Sequence, residues 1–198
     1  MHRFRDDFQI TVSPEFYISA ALLLLLLPIK WLLAWALASS IHELFHYLAI
    51  RLSKTPIHSI AVGLQGITIK TGNMSYTTEL FCALAGPVGA LLVLTVAKWL
   101  PLTAVCAYFQ SAYNLLPIFP LDGGRALRCF AMQAFSAHTA ERFCRITQTG
   151  MLVLLILLGI YCSIWLHLGM LPTVIALLLL LKNRQVKFPC KDGKLRVQ

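Results

Sequence analysis

Long apolar runs separated by short polar stretches dominate the sequence. A helix crosses the core of a bilayer with about 20 apolar residues, and six runs approach that length. The predicted spans cover residues 15–29, 31–52, 80–100, 101–118, 146–167 and 168–181. The pattern therefore predicts an all-α polytopic membrane protein, a single domain over residues 1–198 that ends in a short basic tail at 182–198.

The stretch between the second and third predicted spans has a different pattern. Two short segments rich in β-branched residues, 58–62 and 66–70, are punctuated by Gly63 and Gly66. Such segments favour strands, so we expect a small membrane-associated β-hairpin. Because an open sheet edge cannot face lipid, this hairpin must be covered by protein or lie at the membrane interface.

Composition and charge fit a membrane protein. Apolar residues make up 58% of the 198-residue chain, charged residues only 13%, and the mean hydropathy is +0.73. The net charge is +9, but no nucleic-acid-binding motif accompanies it, and we expect no nucleic-acid partner. With six spans, fifteen of the 17 basic residues fall on the side of the two termini, opposite Lys30 and Lys98. The positive-inside rule then predicts a membrane protein with both termini in the cytoplasm.

The second predicted span contains His42-Glu43-Leu44-Phe45-His46, an HExxH pattern. Residues at i and i+4 share one face of a helix, so His42 and His46 can direct two imidazoles at one ion. Zinc binds neutral imidazole well, and Glu43 is placed to act as a general base on water. The alternative is a polar contact between helices made by histidines that have ordinary hydrogen-bond partners.

A third zinc ligand is expected at Asp122, which follows an interrupted span. Pro117 and Pro120 remove backbone donors and break a helix, while Gly123 and Gly124 permit tight turns. Irregular backbone at membrane depth is tolerated where it lines protein or a water-filled cavity. The alternative role for Asp122 is to cap the N-terminus of a helix that begins near Gly124.

These two motifs carry a family resemblance. His42–His46 within a span, followed by Asn114-Leu115-Leu116-Pro117-Ile118-Phe119-Pro120-Leu121-Asp122-Gly123-Gly124-Arg125, resembles the site-2 protease family of intramembrane zinc metalloproteases (peptidase M50). The resemblance implies that His42, His46 and Asp122 bind one zinc ion per chain and that Glu43 activates water. Ala85-Gly86-Pro87 also resembles a family motif, for which we favour a role in close helix packing.

Within the family, the sequence is most similar to the branch that processes a sigma-factor precursor during endospore formation, without its CBS domain. The resemblance implies regulated intramembrane proteolysis by a zinc metalloendopeptidase of a bacterial cell membrane. It also implies a membrane-associated protein substrate, such as a sigma-factor precursor, and inhibitory membrane partners. The alternative function is a zinc-binding membrane scaffold or metal carrier without proteolytic activity.

Three further residues are candidates for substrate binding. Asn114 could hydrogen-bond a substrate backbone or orient Asp122, and it could equally cap a kinked helix. Ile67 and Ile69 lie in the second predicted strand, to which an extended substrate could add by β-augmentation.

The charge distribution gives a testable topology. A reporter fused after Gln198 should behave as cytoplasmic, and a tag near Lys98 should be accessible from outside, because basic residues flank spans on the cytoplasmic side. Paired enzymatic reporters, active on opposite sides of the membrane, measure this. An external C-terminus would contradict the six-span count.

Overall fold

The computed structural model describes residues 9–12, 27–63 and 66–164, together with positions 14, 17, 21, 24 and 25. Most of this described part is helical. Most of the predicted span 15–29, all of the predicted span 168–181 and the tail 182–198 lie outside the described residues.

Five helices carry most of the described chain. They are α1 (Ile29–Leu52), α2 (Tyr76–Leu92), α3 (Pro101–Asn114), α4 (Asp122–Ala134) and α5 (Ala137–Ile164). A 3-10 turn, Val93–Val96, continues α2. Pro101 begins α3 at a position where a missing N–H costs nothing, and the Ser75 side chain caps α2 by accepting from the Thr78 amide.

Several helix limits differ from the predicted spans. The predicted span 101–118 is wrong at its end, because α3 stops at Asn114, before Pro117. Helix α5 begins at Ala137 rather than at residue 146, since its first turns are polar yet helical. Helix α4 was not expected as a span, and its 13 residues are too few to cross a bilayer. Helix α1 matches its predicted span within two residues, whereas α2 begins at Tyr76 rather than at residue 80 and its 3-10 extension ends at Val96 rather than at residue 100.

The polar stretch after α1 contains two antiparallel strands, β2 (Ile57–Gly63) and β3 (Gly66–Thr71). A strand absent from our expectation, β1 (Gln9–Val12), pairs in parallel with β2. The sheet order is β1-β2-β3, so β2 is central. In the described part of the chain, the outer edge of β3 pairs with no strand.

Helix α2 lies at the centre of the helical part and packs against α1, α3 and α4. Its contacts with α1 and α3 are built from small residues, namely Ala38, Ala90, Val93, Ala104 and Ala107. Small side chains let helix backbones approach closely. In lipid, where no hydrophobic effect drives helices together, this close van der Waals packing stabilises their association.

Two helical stretches of the described chain, Tyr76–Val96 and Ala137–Ile164, are long and apolar enough to cross a membrane. In the most apolar part of the second, only 22% of the residues are buried within the protein. Its outward side chains include Leu154, Leu157 and Leu158. An exposed apolar surface of this kind marks a contact with lipid or with protein, and the two long apolar helices suggest a membrane protein.

Candidate metal centre

Helix α1 directs both histidines of the HExxH pattern inward. His42 is 2% exposed, and His46 lies one turn further along on the same face, with their ring centroids 4.8 Å apart. Helix periodicity is sufficient to explain this pairing.

The segment between α3 and α4 positions the third residue. Helix α3 ends at Asn114, and the chain then turns back through Pro117 and a cis Phe119–Pro120 peptide bond. A Cβ on Gly123 would overlap the Leu115 carbonyl group, and one on Gly124 would overlap the Ile118 backbone. The two glycines therefore allow the loop to fold directly against the start of α4.

Asp122 is the first residue of α4. The residue before it, Leu121, occupies the N-cap position, and no side chain caps the helix. The alternative of Asp122 as an N-cap residue is thus wrong, because its carboxylate points away from the α4 amides and towards α1.

The three side chains converge on one point. The Asp122 Oδ2 atom lies 3.1 Å from His42 Nε2 and 3.1 Å from His46 Nε2. The two Nε2 atoms are themselves 3.1 Å apart. The structure therefore brings the three ligands suggested by the sequence into one group that could hold a metal ion.

The protonation of His46 follows from its second nitrogen. His46 Nδ1 lies 2.7 Å from the Cys82 carbonyl oxygen, which can only accept, so Nδ1 carries the proton. In the neutral ring, Nε2 then presents a lone pair to the Asp122 carboxylate. His46 Nε2 and the Asp122 carboxylate are then two acceptors 3.1 Å apart, with His42 Nε2 equally close to both, so a proton or a metal ion must lie between them.

Zinc fits this arrangement. A single proton can bridge only one pair of the three atoms, whereas one metal ion satisfies all three. For tetrahedral zinc with bonds of 2.0–2.1 Å, neighbouring ligand atoms are separated by roughly 3.3 Å, close to the distances observed. Two imidazoles and a carboxylate also leave the fourth position open, as hydrolytic zinc sites require.

Glu43 lies beside these three side chains and forms no hydrogen bond or ion pair with them. Within the described residues, its carboxylate makes no hydrogen bond or ion pair, although His42, His46, Asp122 and Arg125 all act on it electrostatically. A half-buried carboxylate without a structural partner, adjacent to a candidate metal site, is available to exchange protons with a water molecule or substrate.

Asn114 completes the inner surface at the end of α3. Its Nδ2 atom lies 3.3 Å from His42 Nε2, which places the amide at the rim of the ligand group. The structure thus brings Asn114 to the candidate site. Ile69 lies elsewhere, packed against Ala49, Ile50 and Cys82, and the side chain of Ile67 is outside the described part.

Comparisons with known proteins agree with this geometry. Residues 81–158 match the family model of peptidase family M50. This M50 segment begins in α2 and ends in α5, so it includes Asp122, while the two histidines precede it. No curated protein matches the chain.

A solved structure resembles the whole chain. The site-2 protease from Methanocaldococcus jannaschii aligns with a TM-score of 0.62 at 17% sequence identity, over 97% of each chain. The protein therefore has the fold of this site-2 protease, and residues 81–158 match the M50 family model.

Two contacts in the M50 segment that the sequence did not reveal hold His46 in place. One is the Cys82 carbonyl oxygen, which fixes its tautomer. The other is Gly86, where a Cβ would overlap the His46 ring. We expected Gly86 to serve helix packing, and it does, but the neighbour it admits is a candidate metal ligand.

This contact yields a prediction. Gly86→Ala should lower zinc affinity by about tenfold or more, because an orienting contact of a metal ligand typically contributes 10–100-fold. Equilibrium competition with a chromogenic chelator, on protein purified in detergent, measures the affinity.

Two variants calibrate that measurement. Gly150→Ala adds the same methyl group where nothing lies within 4 Å and should bind zinc like the wild type. Asp122→Ala removes a ligand and should lose zinc. Unchanged zinc affinity in Gly86→Ala would show that the His46 ring does not depend on this contact.

Proposed function

We propose that the protein is an intramembrane zinc metalloendopeptidase that hydrolyses a peptide bond in or near the bilayer. The observation that carries this proposal is the convergence of three possible ligand atoms at 3.1 Å beside the Glu43 carboxylate, which has no hydrogen-bond or ion-pair partner among the described residues. In this assignment His42, His46 and Asp122 hold one zinc ion per chain.

The residues divide the chemistry between them. Bound zinc would acidify a water molecule and polarise the scissile carbonyl group. Glu43 accepts the proton of the attacking water and then delivers it to the leaving amine. Asn114, at the rim of the site, is suited to hydrogen-bond the substrate backbone beside the scissile bond.

A zinc scaffold or metal carrier is the competing function. A carrier needs ionisable ligands at successive depths along a path through the membrane. Among the described residues, only one cluster of His, Cys, Asp and Glu could hold a metal ion, and it has a free carboxylate next to it. This concentration at one point favours catalysis over transport.

Glu43→Gln tests the mechanism. Glutamine keeps the shape of the side chain but cannot accept a proton as carboxylate does, so cleavage should fall by at least about 10²-fold. Zinc content, measured by elemental analysis of the same preparation, should remain at one per chain. Normal cleavage by purified Glu43→Gln would exclude Glu43 as the base. If Glu43→Gln loses zinc, comparison with Glu43→Asp separates a role of Glu43 in zinc binding from its role in proton transfer.

The substrate we propose is a membrane-associated protein presented from the cytoplasmic side, in particular a sigma-factor precursor of endospore formation. Similarity of the Asn114–Arg125 stretch to the sporulation branch supports it, as does the basic charge predicted for the face that carries the sheet. Inhibitory membrane partners would then control access. Co-expression with a sigma-factor precursor and, separately, with a single-span anti-sigma factor distinguishes substrate classes.

The sheet offers a place for an extended substrate. Hydrolysis at a metal needs an extended backbone, and the outer edge of β3 is unpaired by strands in the described chain. Register pairs Gly63 with Gly66, Val62 with Ile67 and Ile60 with Ile69. Hydrogen-bonded and non-hydrogen-bonded pairs alternate along an antiparallel ladder, so the amides of Ile67 and Ile69 face the same side. A hairpin loop of two residues closes on a hydrogen-bonded pair, which directs both amides to the free edge.

Ile69→Pro should therefore impair cleavage while leaving zinc content unchanged, because proline removes one donor from the free edge. The Ile69 side chain also packs against Ala49, Ile50 and Cys82, so Ile69→Ala is the matched control that loses packing but keeps the amide. Cleavage of the co-expressed substrate should fall clearly further in the proline variant. Equal activity of the two variants would argue against strand addition at β3.

A further inference from the structure

Glu79 is a buried carboxylate that the proposed reaction does not use. It lies in the first turn of α2, and its side chain is 7% exposed. A buried carboxylate is unfavourable by several kcal/mol unless a counter-charge accompanies it. The counter-charge is Arg125, whose Nη2 atom lies 3.6 Å from Glu79 Oε1.

Arg125 connects this carboxylate to the candidate metal ligand. It follows Asp122 by one turn of α4, and its Nη1 atom lies 4.0 Å from Asp122 Oδ1. The two oxygens of Asp122 thus face opposite neighbours, with Oδ2 towards the imidazoles and Oδ1 towards the guanidinium. The guanidinium stands between Asp122 and Glu79 and is nearer to Glu79.

Left to itself, Arg125 would compete for Asp122. A guanidinium forms strong, often bidentate pairs with carboxylates, and residues at i and i+3 on a helix are neighbours. A close Arg125–Asp122 pair would reduce the negative charge that Asp122 offers to a metal ion. Neither the 4.0 Å separation from Asp122 nor the 3.6 Å separation from Glu79 is short enough for a hydrogen bond, so the guanidinium forms ion pairs with both carboxylates, the shorter one with Glu79.

We propose that Glu79 is a positioning residue that draws the Arg125 guanidinium away from Asp122 and so keeps the Asp122 carboxylate available to zinc. This role rests on the metal site of the proposed function. The α2–α4 contact then does more than pack two helices, because a residue of α2 keeps a metal ligand of α4 available.

The test measures zinc affinity and stability separately on the full chain in detergent. In Glu79→Gln the side-chain shape is kept, but Arg125 loses its partner and a negative charge disappears near the site. Both changes oppose zinc binding, so the zinc dissociation constant should rise by about tenfold or more, the usual range for such outer contacts. Chelator competition gives the constant.

Arg125→Met separates this role from that of a structural ion pair. Removing the guanidinium leaves Glu79 without a counter-charge, so the zinc-free protein should unfold at a lower temperature. The same change removes a competitor for Asp122 and a positive charge near the ion, so zinc should bind more tightly, by at least about twofold. Tighter zinc binding would show that the Arg125 guanidinium opposes the metal ion, which the proposed role of Glu79 requires.

The double variant Glu79→Gln/Arg125→Met closes the comparison. It keeps the net charge of the wild type and should return zinc affinity to within about threefold of it, since the competing cation is gone. A double variant as weak as Glu79→Gln would overturn the proposal, as would wild-type affinity in Glu79→Gln. If Glu79→Gln does not fold, Arg125→Met decides alone: tighter zinc binding supports the role, and equal or weaker binding overturns it.

Failure of the two proposals can be distinguished. A wild-type protein that binds no zinc removes the proposed function and with it the role of Glu79. A wild-type protein that binds zinc, with variants that do not follow the expected order, removes only the role of Glu79.

Discussion

The architecture depends on one electrostatic constraint, the approach of three acceptor atoms from two helices to within 3.1 Å of one another. Two imidazole nitrogens and a carboxylate oxygen approach one another this closely only when a proton or a metal ion lies between them. Holding them together requires α1 and α4 to be fixed against a common neighbour. Helix α2 is that neighbour, because it packs against both and supplies Cys82 and Gly86 to His46.

Arg125, on α4, offsets the negative charges that gather around the site. Glu43, Glu79 and Asp122 are three acidic groups within apolar helices, where each would be unfavourable alone. Arg125 lies near two of them and acts on the third. Charges of both signs thus lie close together around the candidate metal centre, so the unfavourable burial of charge is limited to that site.

Local periodicity explains what the sequence could predict. His42 and His46 share a face because of helix geometry alone, and Asp122 was found because proline and glycine mark an interruption of a span. Tertiary contacts could not be predicted from local periodicity, because they join segments far apart in the chain. Examples are the Cys82 carbonyl contact, the Gly86 contact and the Glu79–Arg125 pair. Strand β1 was missed for the same reason, since its partner β2 lies about 50 positions later. Helix α5 was predicted too short because hydropathy does not register polar helical turns.

Helix lengths explain where the site lies within the helical part. At 1.5 Å per residue, α1 extends about 36 Å, and His42 lies about 20 Å along it, near its midpoint. Helix α3, with 14 residues, reaches only about 21 Å, less than the roughly 30 Å of a bilayer core. Irregular backbone follows it, and Gly123 and Gly124 allow that loop to pack against the start of α4. The early end of α3 thus leaves room for the loop that brings Asp122 to the histidines. In a membrane, irregular backbone of this kind is tolerated where it lines protein or water, which is also the environment that the proposed hydrolysis needs.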